Sequence, residues 1–233
     1  RYENINYLLA IKRITGGKLI YNIQDFNPEQ TRAVGYSKNS LIFGLMMFLD
    51  KLSCSKSDLV IVVGNDMKET LEKRFNGKKI PPNIVINNWT DEKLIYPLDK
   101  KAEGVVEFKK KYGIDNKFVI MYSGNIGLYY DLENLIEIFG EYGDQKDTVF
   151  AFVGEGAVKK KLEEICSAKY YRNIVFIPYQ AKEDLVYSLN AADIHIVNNA
   201  KGIKGISVPS KLYGVMAADI PVLGILEDGS EAS

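Results

Sequence analysis

The sequence predicts an α/β fold built on parallel sheets, and three observations lead there. Short β-rich runs alternate with longer stretches of helical period from one end to the other, which is how strands joined by crossover helices read. Apolar residues make up 46% of the 233, enough to fill a substantial core. Several strand candidates also run through glycines into a helical pattern, as MYSGNIGLYYDLENLIEIF does over residues 121–139.

Taken in order, KLIYNI (18–23) opens the strands. SLIFGLMMFLDKL (40–52) starts a helix near 40–56 that is too short, and too soon ended by charge, to cross a membrane, so a buried helix is expected, with a membrane-surface helix as the alternative. LVIVV (59–63), a helix near 66–75 and NIVIN (83–87) follow. NWTDEKLIYPLDKKAEG (88–104) then breaks the alternation with proline, glycine and charge, and a domain boundary is expected near residue 97. Beyond it come a helix near 103–112, FVIMYS (118–123), a helix near 131–142 and VFAFV (149–153). A helix near 157–168, NIVFIP (173–178), a helix near 182–190, DIHIV (193–197), a helix near 209–218 and IPVLGIL (220–226) complete the series. Asp131 is expected to cap the helix whose apolar stripe is Leu132, Leu135, Ile136 and Phe139.

Thirty basic residues balance thirty acidic ones, so nothing in the net charge asks for nucleic acid; the lysine triplets 109–111 and 159–161 read as solvated helix faces. Cys54 and Cys166 stand far apart, which fits a reducing compartment, with the cytoplasm as default, and gives no disulfide framework or metal-ligand spacing. The chain starts at Arg1 and stops at Ser233 just after a strand and a turn, so a fragment cut at both ends is expected.

Ligands of an open parallel sheet bind beyond the carboxyl ends of its strands. Gly124 and Gly127 let a phosphate or sugar approach the backbone there, or serve only turn geometry. VGEGAVK (153–159) begins like a dinucleotide fingerprint, with Gly154 and Glu155 at its loop, but Lys159 stands where the third glycine belongs. In VPSKLYGVMAA, Ser210 and Lys211 fall in a helix's first turn, where a lysine opposes the helix dipole unless an anion offsets it, so Lys211 is the leading candidate for a phosphate contact. The single histidine, His195, lies in an apolar strand and reads as structural.

IYNIQDFNPEQ (20–30), VINNWTD (85–91), MYSGNIG (121–127), FVGEG (152–156), AADIHIV (191–197), VPSKLYGVMAADIPVL (208–223) and GSEAS (229–233) occur in an order that resembles bacterial retaining glycosyltransferases of the GT-B fold. The family is glycosyltransferase family 4, or group 1, and the nearest branch holds colanic-acid and O-antigen fucosyl or N-acetylfucosaminyl transferases. The resemblance implies two Rossmann-like domains with parallel sheets facing a cleft. Residues 1–97 would be the later half of an acceptor-side domain, only partly covered, and 98–233 a nucleotide-sugar domain lacking its C-terminal end.

By the same resemblance, Gly124, Asn125 and Gly127 line the diphosphate and sugar side of the donor, and Pro178 and Tyr179 frame the nucleobase. Many relatives carry an arginine and a lysine where this chain has Asn125 and Tyr130, so that cationic work is assigned to Lys211 with Lys201 or Lys204. Gly214 stands where a glutamate is usual, which passes ribose recognition to Glu231; Gln24 and Asp25 stand where many relatives have a histidine-aspartate pair near the transferred sugar. The implied reaction transfers a sugar from a UDP- or GDP-sugar, without cofactor or metal, to a lipid-linked or saccharide acceptor at the cytoplasmic membrane face, with peripheral membrane association. A non-catalytic nucleotide-sugar-binding module remains open because of the altered positions. An epimerase on the same plan would need acid and base groups of which the sequence gives no sign.

Overall fold

The computed structural model describes residues 4–33, 35, 40–143 and 145–233. In chain order the elements are α1 (Asn4–Thr15), β1 (Ile20–Ile23), α2 (Glu29–Ala33), α3 (Ser40–Lys56), β2 (Leu59–Val62), α4 (Asn65–Phe75), β3 (Asn83–Val85), α5 (Glu103–Lys111), β4 (Phe118–Ser123), α6 (Leu132–Glu141), β5 (Thr148–Val153), α7 (Lys159–Ala168), β6 (Ile174–Ile177), α8 (Leu185–Asn190), β7 (Ile194–Asn198), α9 (Lys211–Ala217) and β8 (Val222–Ile225). Every predicted strand and helix is present within a few residues. The chain divides into two units, the first made of Arg1–Asn88, Lys201–Val208 and Glu227–Ser233, the second of Trp89–Ala200 and Pro209–Leu226. The changeover thus falls at Asn88, ahead of residue 97, because Leu94 and Ile95 already pack with α8 and α9.

The first unit holds a parallel sheet of order β1-β2-β3. Helix α4 buries Met67, Leu71, Arg74 and Phe75, a stripe of helical period, and its apolar members join Ile23, Phe26, Val60 and Val62 in one core. The Arg74 guanidinium is paired with both Glu29 and Asp50 and lies 4.1 Å over the Phe26 ring. Removing one member of such a buried network costs about 3–5 kcal/mol, because the others are left uncompensated. Val208 and Ile206 enter the same core, and the Phe26 amide donates to the Ile206 carbonyl at 2.9 Å.

Helix α3 departs from expectation. It buries Asp50, Ser53 and Cys54, while Leu41, Ile42, Leu45 and Phe48 stay exposed. Its fully buried residues all lie in the C-terminal half, while in the apolar half Phe43, Met46 and Met47 are half-buried and Arg32 lies 4.8 Å over the Phe43 ring. No helix among the described residues is long and apolar enough to cross a membrane.

The second unit holds a five-stranded parallel sheet of order β6-β5-β4-β7-β8. Helices cover both faces, so β5 is buried along nearly its whole length, the reason it reads as an unbroken apolar run. On one face Leu132, Leu135, Ile136 and Phe139 of α6 meet Leu162 and Cys166 of α7, and the Phe139 ring stacks on Phe150 at 3.9 Å between centroids. On the other, Val105 and Phe108 of α5 pack with Val119, Met121 and Ala191. From β4 the chain winds outward through β5 to β6, then returns to place β7 on the other side of β4. The switch point lies between β4 and β7, where loops diverge and leave a crevice at the carboxyl ends.

Asp131 does not cap α6 with its side chain. It sits at the N-cap in the left-handed region (φ 49°), and its carboxylate instead accepts from the Asn134 amide at 2.9 Å. His195 is buried in β7, with Nε2 3.0 Å from the Leu189 carbonyl, and burial pushes it down to about 4. A histidine so enclosed is part of the packing, as its place in an apolar strand predicted.

Candidate ligand-binding site

The second unit opens a pocket of about 510 Å3 at the carboxyl ends of β4 and β5. Its floor comes from Ser123, Gly124 and Asn125 after β4 and from Val153, Gly154 and Glu155 after β5. These two loops are knitted together: the Gly124 amide donates to the Val153 carbonyl at 2.9 Å, and the Ile126 amide to the Glu155 carbonyl at 2.8 Å. A Cβ on Gly154 would collide with the Gly124 carbonyl oxygen, and one on Gly156 with that of Ile126. The glycines of GEG therefore serve the close approach of two backbones. Gly124 differs, because its φ of +149° favours glycine while a Cβ there would meet only Lys211 Cε, at 3.7 Å. Lys159, in the fingerprint's third-glycine position, reaches back to the Gly154 carbonyl at 3.1 Å and pairs with Glu155 at 2.6 Å, which occupies that carboxylate.

Lys211, from the start of α9, dominates the pocket's electrostatics. Its Nζ donates to the Tyr122 hydroxyl at 2.9 Å and lies 4.0 Å over the Tyr122 ring centroid and 3.7 Å over that of Tyr130. The Tyr122 hydroxyl in turn donates to the Asn125 carbonyl at 2.7 Å. Two aromatic faces hold this ammonium by their π electrons. Among the described residues no carboxylate pairs with it, and burial alone pushes it well below the ordinary lysine value. The Tyr122 hydroxyl is likewise raised by burial. An ammonium has three donors, and one is spent on Tyr122, which leaves the others for an oxygen-rich anion.

The rest of the lining is more apolar. Trp89, Tyr179, Leu185 and Leu189 stand with Thr90, Gln180, Ser210 and Gly214. Trp89 is 79% exposed and Tyr179 74%. Ser210 makes no side-chain cap at the head of α9.

Gly124, Asn125, Gly154, Glu155, Tyr179, Ser210 and Lys211 are thus brought to one pocket. Pro178 precedes Tyr179 outside the lining, and Gly127 belongs to a separate hollow with Asp131 and Asn134. Gln24, Asp25, Lys201, Lys204 and Glu231 belong to the first unit. There Gln24 donates to Asn22 at 3.0 Å, Asp25 accepts from the Ser207 hydroxyl at 2.6 Å, and Lys204 donates to the Asp228 carbonyl at 2.6 Å. Glu231 accepts from the Asn65 amide at 2.6 Å and the Asn87 side chain at 2.7 Å, so its oxygens serve the head of α4. Glu231, Lys201 and Lys204 are thus placed within the first unit, apart from the residues that line this pocket. Sequence reasoning missed Trp89, Tyr122, Gln180, Leu185 and Leu189. Only Trp89 had a visible signal, an aromatic residue at a domain boundary. Among the described residues no group of three histidine, cysteine or acidic side chains is placed to hold a metal ion.

A family model described as "Glycosyl transferases group 1" matches residues 105–230. The chain is 30% identical over 226 residues to a probable glycosyltransferase, WbjE, of Pseudomonas aeruginosa, covering 94% of this chain and 53% of that protein. It is 27% identical over 213 residues to WcaI of Escherichia coli K12, a putative colanic acid biosynthesis glycosyl transferase, covering 89% and 51%. The chain therefore spans about half the length of the curated relatives it matches. Among solved structures, Anabaena HepE in complex with UDP and glucose superimposes with a TM-score of 0.72 at 15% identity, over 100% of this chain and 63% of that one. That likeness speaks for the fold, an α/β architecture of the GT-B type.

Proposed function

Because the chain belongs to the group 1 glycosyl transferases, we propose that its second unit binds the nucleoside diphosphate of a UDP- or GDP-sugar, for transfer of the sugar to a lipid-linked or saccharide acceptor. The observation that carries this reading is Lys211, whose Nζ lies over two tyrosine rings with no carboxylate partner among the described residues, in a pocket at the sheet's switch point. Sugar transfer from such a donor builds negative charge on the departing diphosphate. A lysine already held in place, and protonated beside the diphosphate, stabilises that charge at little reorganisation cost. Gly124 assists by leaving the backbone open beside Lys211 Cε.

The relatives' names support a place in cell-surface polysaccharide synthesis, since one is described by colanic acid biosynthesis. The UDP bound by HepE supports a uridine donor. Retention of configuration, and work at the cytoplasmic face of the membrane, complete the reading by family resemblance.

Calorimetric titration with UDP, GDP, ADP and CMP tests it. One of UDP or GDP is expected to bind saturably, and Lys211→Met to weaken that binding about 10- to 100-fold, the worth of a hydrogen bond to a charged group. Unchanged affinity in Lys211→Met removes Lys211 from the site. Failure of all four nucleotides removes the donor-binding reading.

A further inference from the structure

The pocket's lining is of two chemistries. Gly124 meets Lys211, whose side chain rests on Tyr122 and Tyr130. Leu185 and Leu189 of α8 line it too, and Leu189 lies 3.5 Å from where a Cβ of Gly214 would be, in α9 one turn beyond Lys211. The strand-free segment after Asn88 anchors itself on this apolar part, because Leu94 and Ile95 pack with Val186, Leu189 and Val215. Trp89 and Thr90 open that segment and line the pocket. A tryptophan left 79% exposed is unusual, since so large an apolar surface is normally covered. Here it is uncovered beside leucine side chains and the equally uncovered Tyr179.

We infer that Trp89 is the stacking face for the nucleobase of the donor, and so sets the pocket's affinity for nucleotides over bare diphosphate. This rests on the donor-binding reading above. With the diphosphate at Lys211, either the base or the sugar must lie against Trp89 and the apolar lining. A pyranose carries hydroxyls around its ring that need partners, and the side chains here are mainly carbon. A flat heterocycle has two faces that need none and an edge that the Gln180 amide can meet. Gln180 is the apt amide, for it lines the pocket and is held by donating to the Pro178 carbonyl at 2.6 Å and to the Tyr112 hydroxyl at 3.2 Å.

The test uses Trp89 as its own reporter, because it is the chain's single tryptophan. The protein is titrated with whichever of UDP or GDP binds, with the matching monophosphate, and with pyrophosphate, by calorimetry and by intrinsic fluorescence. Both nucleotides are expected to quench Trp89. Trp89→Ala should lose about tenfold or more in affinity for both, the usual worth of stacking a base on an aromatic ring, and should keep its pyrophosphate affinity, while Trp89→Phe retains most nucleotide binding. An equal loss of pyrophosphate and nucleotide binding in Trp89→Ala would mean a damaged site and would overturn the inference. So would wild-type nucleotide affinity in Trp89→Ala, with donor binding left standing. Absence of any nucleotide binding to the wild type would remove both readings, and the calorimetry distinguishes that case.

Discussion

A lysine that loses its solvent shell without gaining a carboxylate carries a pH signature. Burial holds Lys211 well below its ordinary value of 10.5, and a diphosphate beside it would raise it again. Nucleotide binding should therefore take up a proton, and affinity should fall as pH rises between the lowered value and 10.5. Calorimetry in buffers of different ionisation enthalpy checks this, since the apparent enthalpy must vary with the buffer. His195 makes a separate forecast about stability. Its value is depressed from 6.5 to about 4, so the folded state binds fewer protons than the unfolded chain within that window. Stability is full above pH 6.5 and falls by about 3 kcal/mol as pH drops to 4. Urea unfolding at pH 7, 6 and 5 should reveal the slope, and His195→Gln should flatten it. The histidine's structural role was legible because it sat inside an apolar run. The Tyr122 and Tyr130 cage was not, because Lys211, 89 positions beyond Tyr122, meets the two rings only when β4, its following turn and α9 converge.

At the level of elements, packing decides which glycines can vary. The loops after β4 and β5 touch backbone to backbone, so Gly156→Ala should destabilise the protein by about 1–3 kcal/mol or more, seen as a lower urea midpoint. Phe139→Ala removes the ring stacked on Phe150 and should cost about 3–5 kcal/mol by the same assay. The inner strands were easy to recognise, since burial on both faces makes β5 an unbroken apolar run, whereas β8 at the sheet's edge is exposed along its length. The long helices were recognised by their stripes. Helices α1 and α2 escaped notice: α2 is five residues long and buries none of them, and α1 ends with Ile11 and Ile14 exposed. The apolar character of α3 was plain in the sequence, but its exposure was not, because composition reports what a helix could bury and not what surrounds it.

Across the whole molecule, sequence order and structural unit part company. Residues Lys201–Val208 and Glu227–Ser233 follow most of the second unit in the chain yet build the first. A boundary read from local composition, such as the break after Asn88, cannot show such a return. Glu231 illustrates the consequence, since it supplies an acceptor to the Asn65 amide from 166 positions away. Glu231→Ala should lower stability by about 1–2 kcal/mol, the worth of a helix cap. Nucleotide affinity measured alongside should stay constant, whereas a ribose contact would move it.

That interleaving constrains anyone who wishes to graft one specificity onto another. A chimera joined at Asn88 alone would import foreign versions of Ile206 and Val208 into a core they did not evolve with, and of Glu231 at a helix they must satisfy. Exchange of the second unit calls for four junctions, at 88/89, 200/201, 208/209 and 226/227, with the native 201–208 and 227–233 left in place. Swaps made that way should keep the recipient's first unit folded while the new pocket brings its own donor.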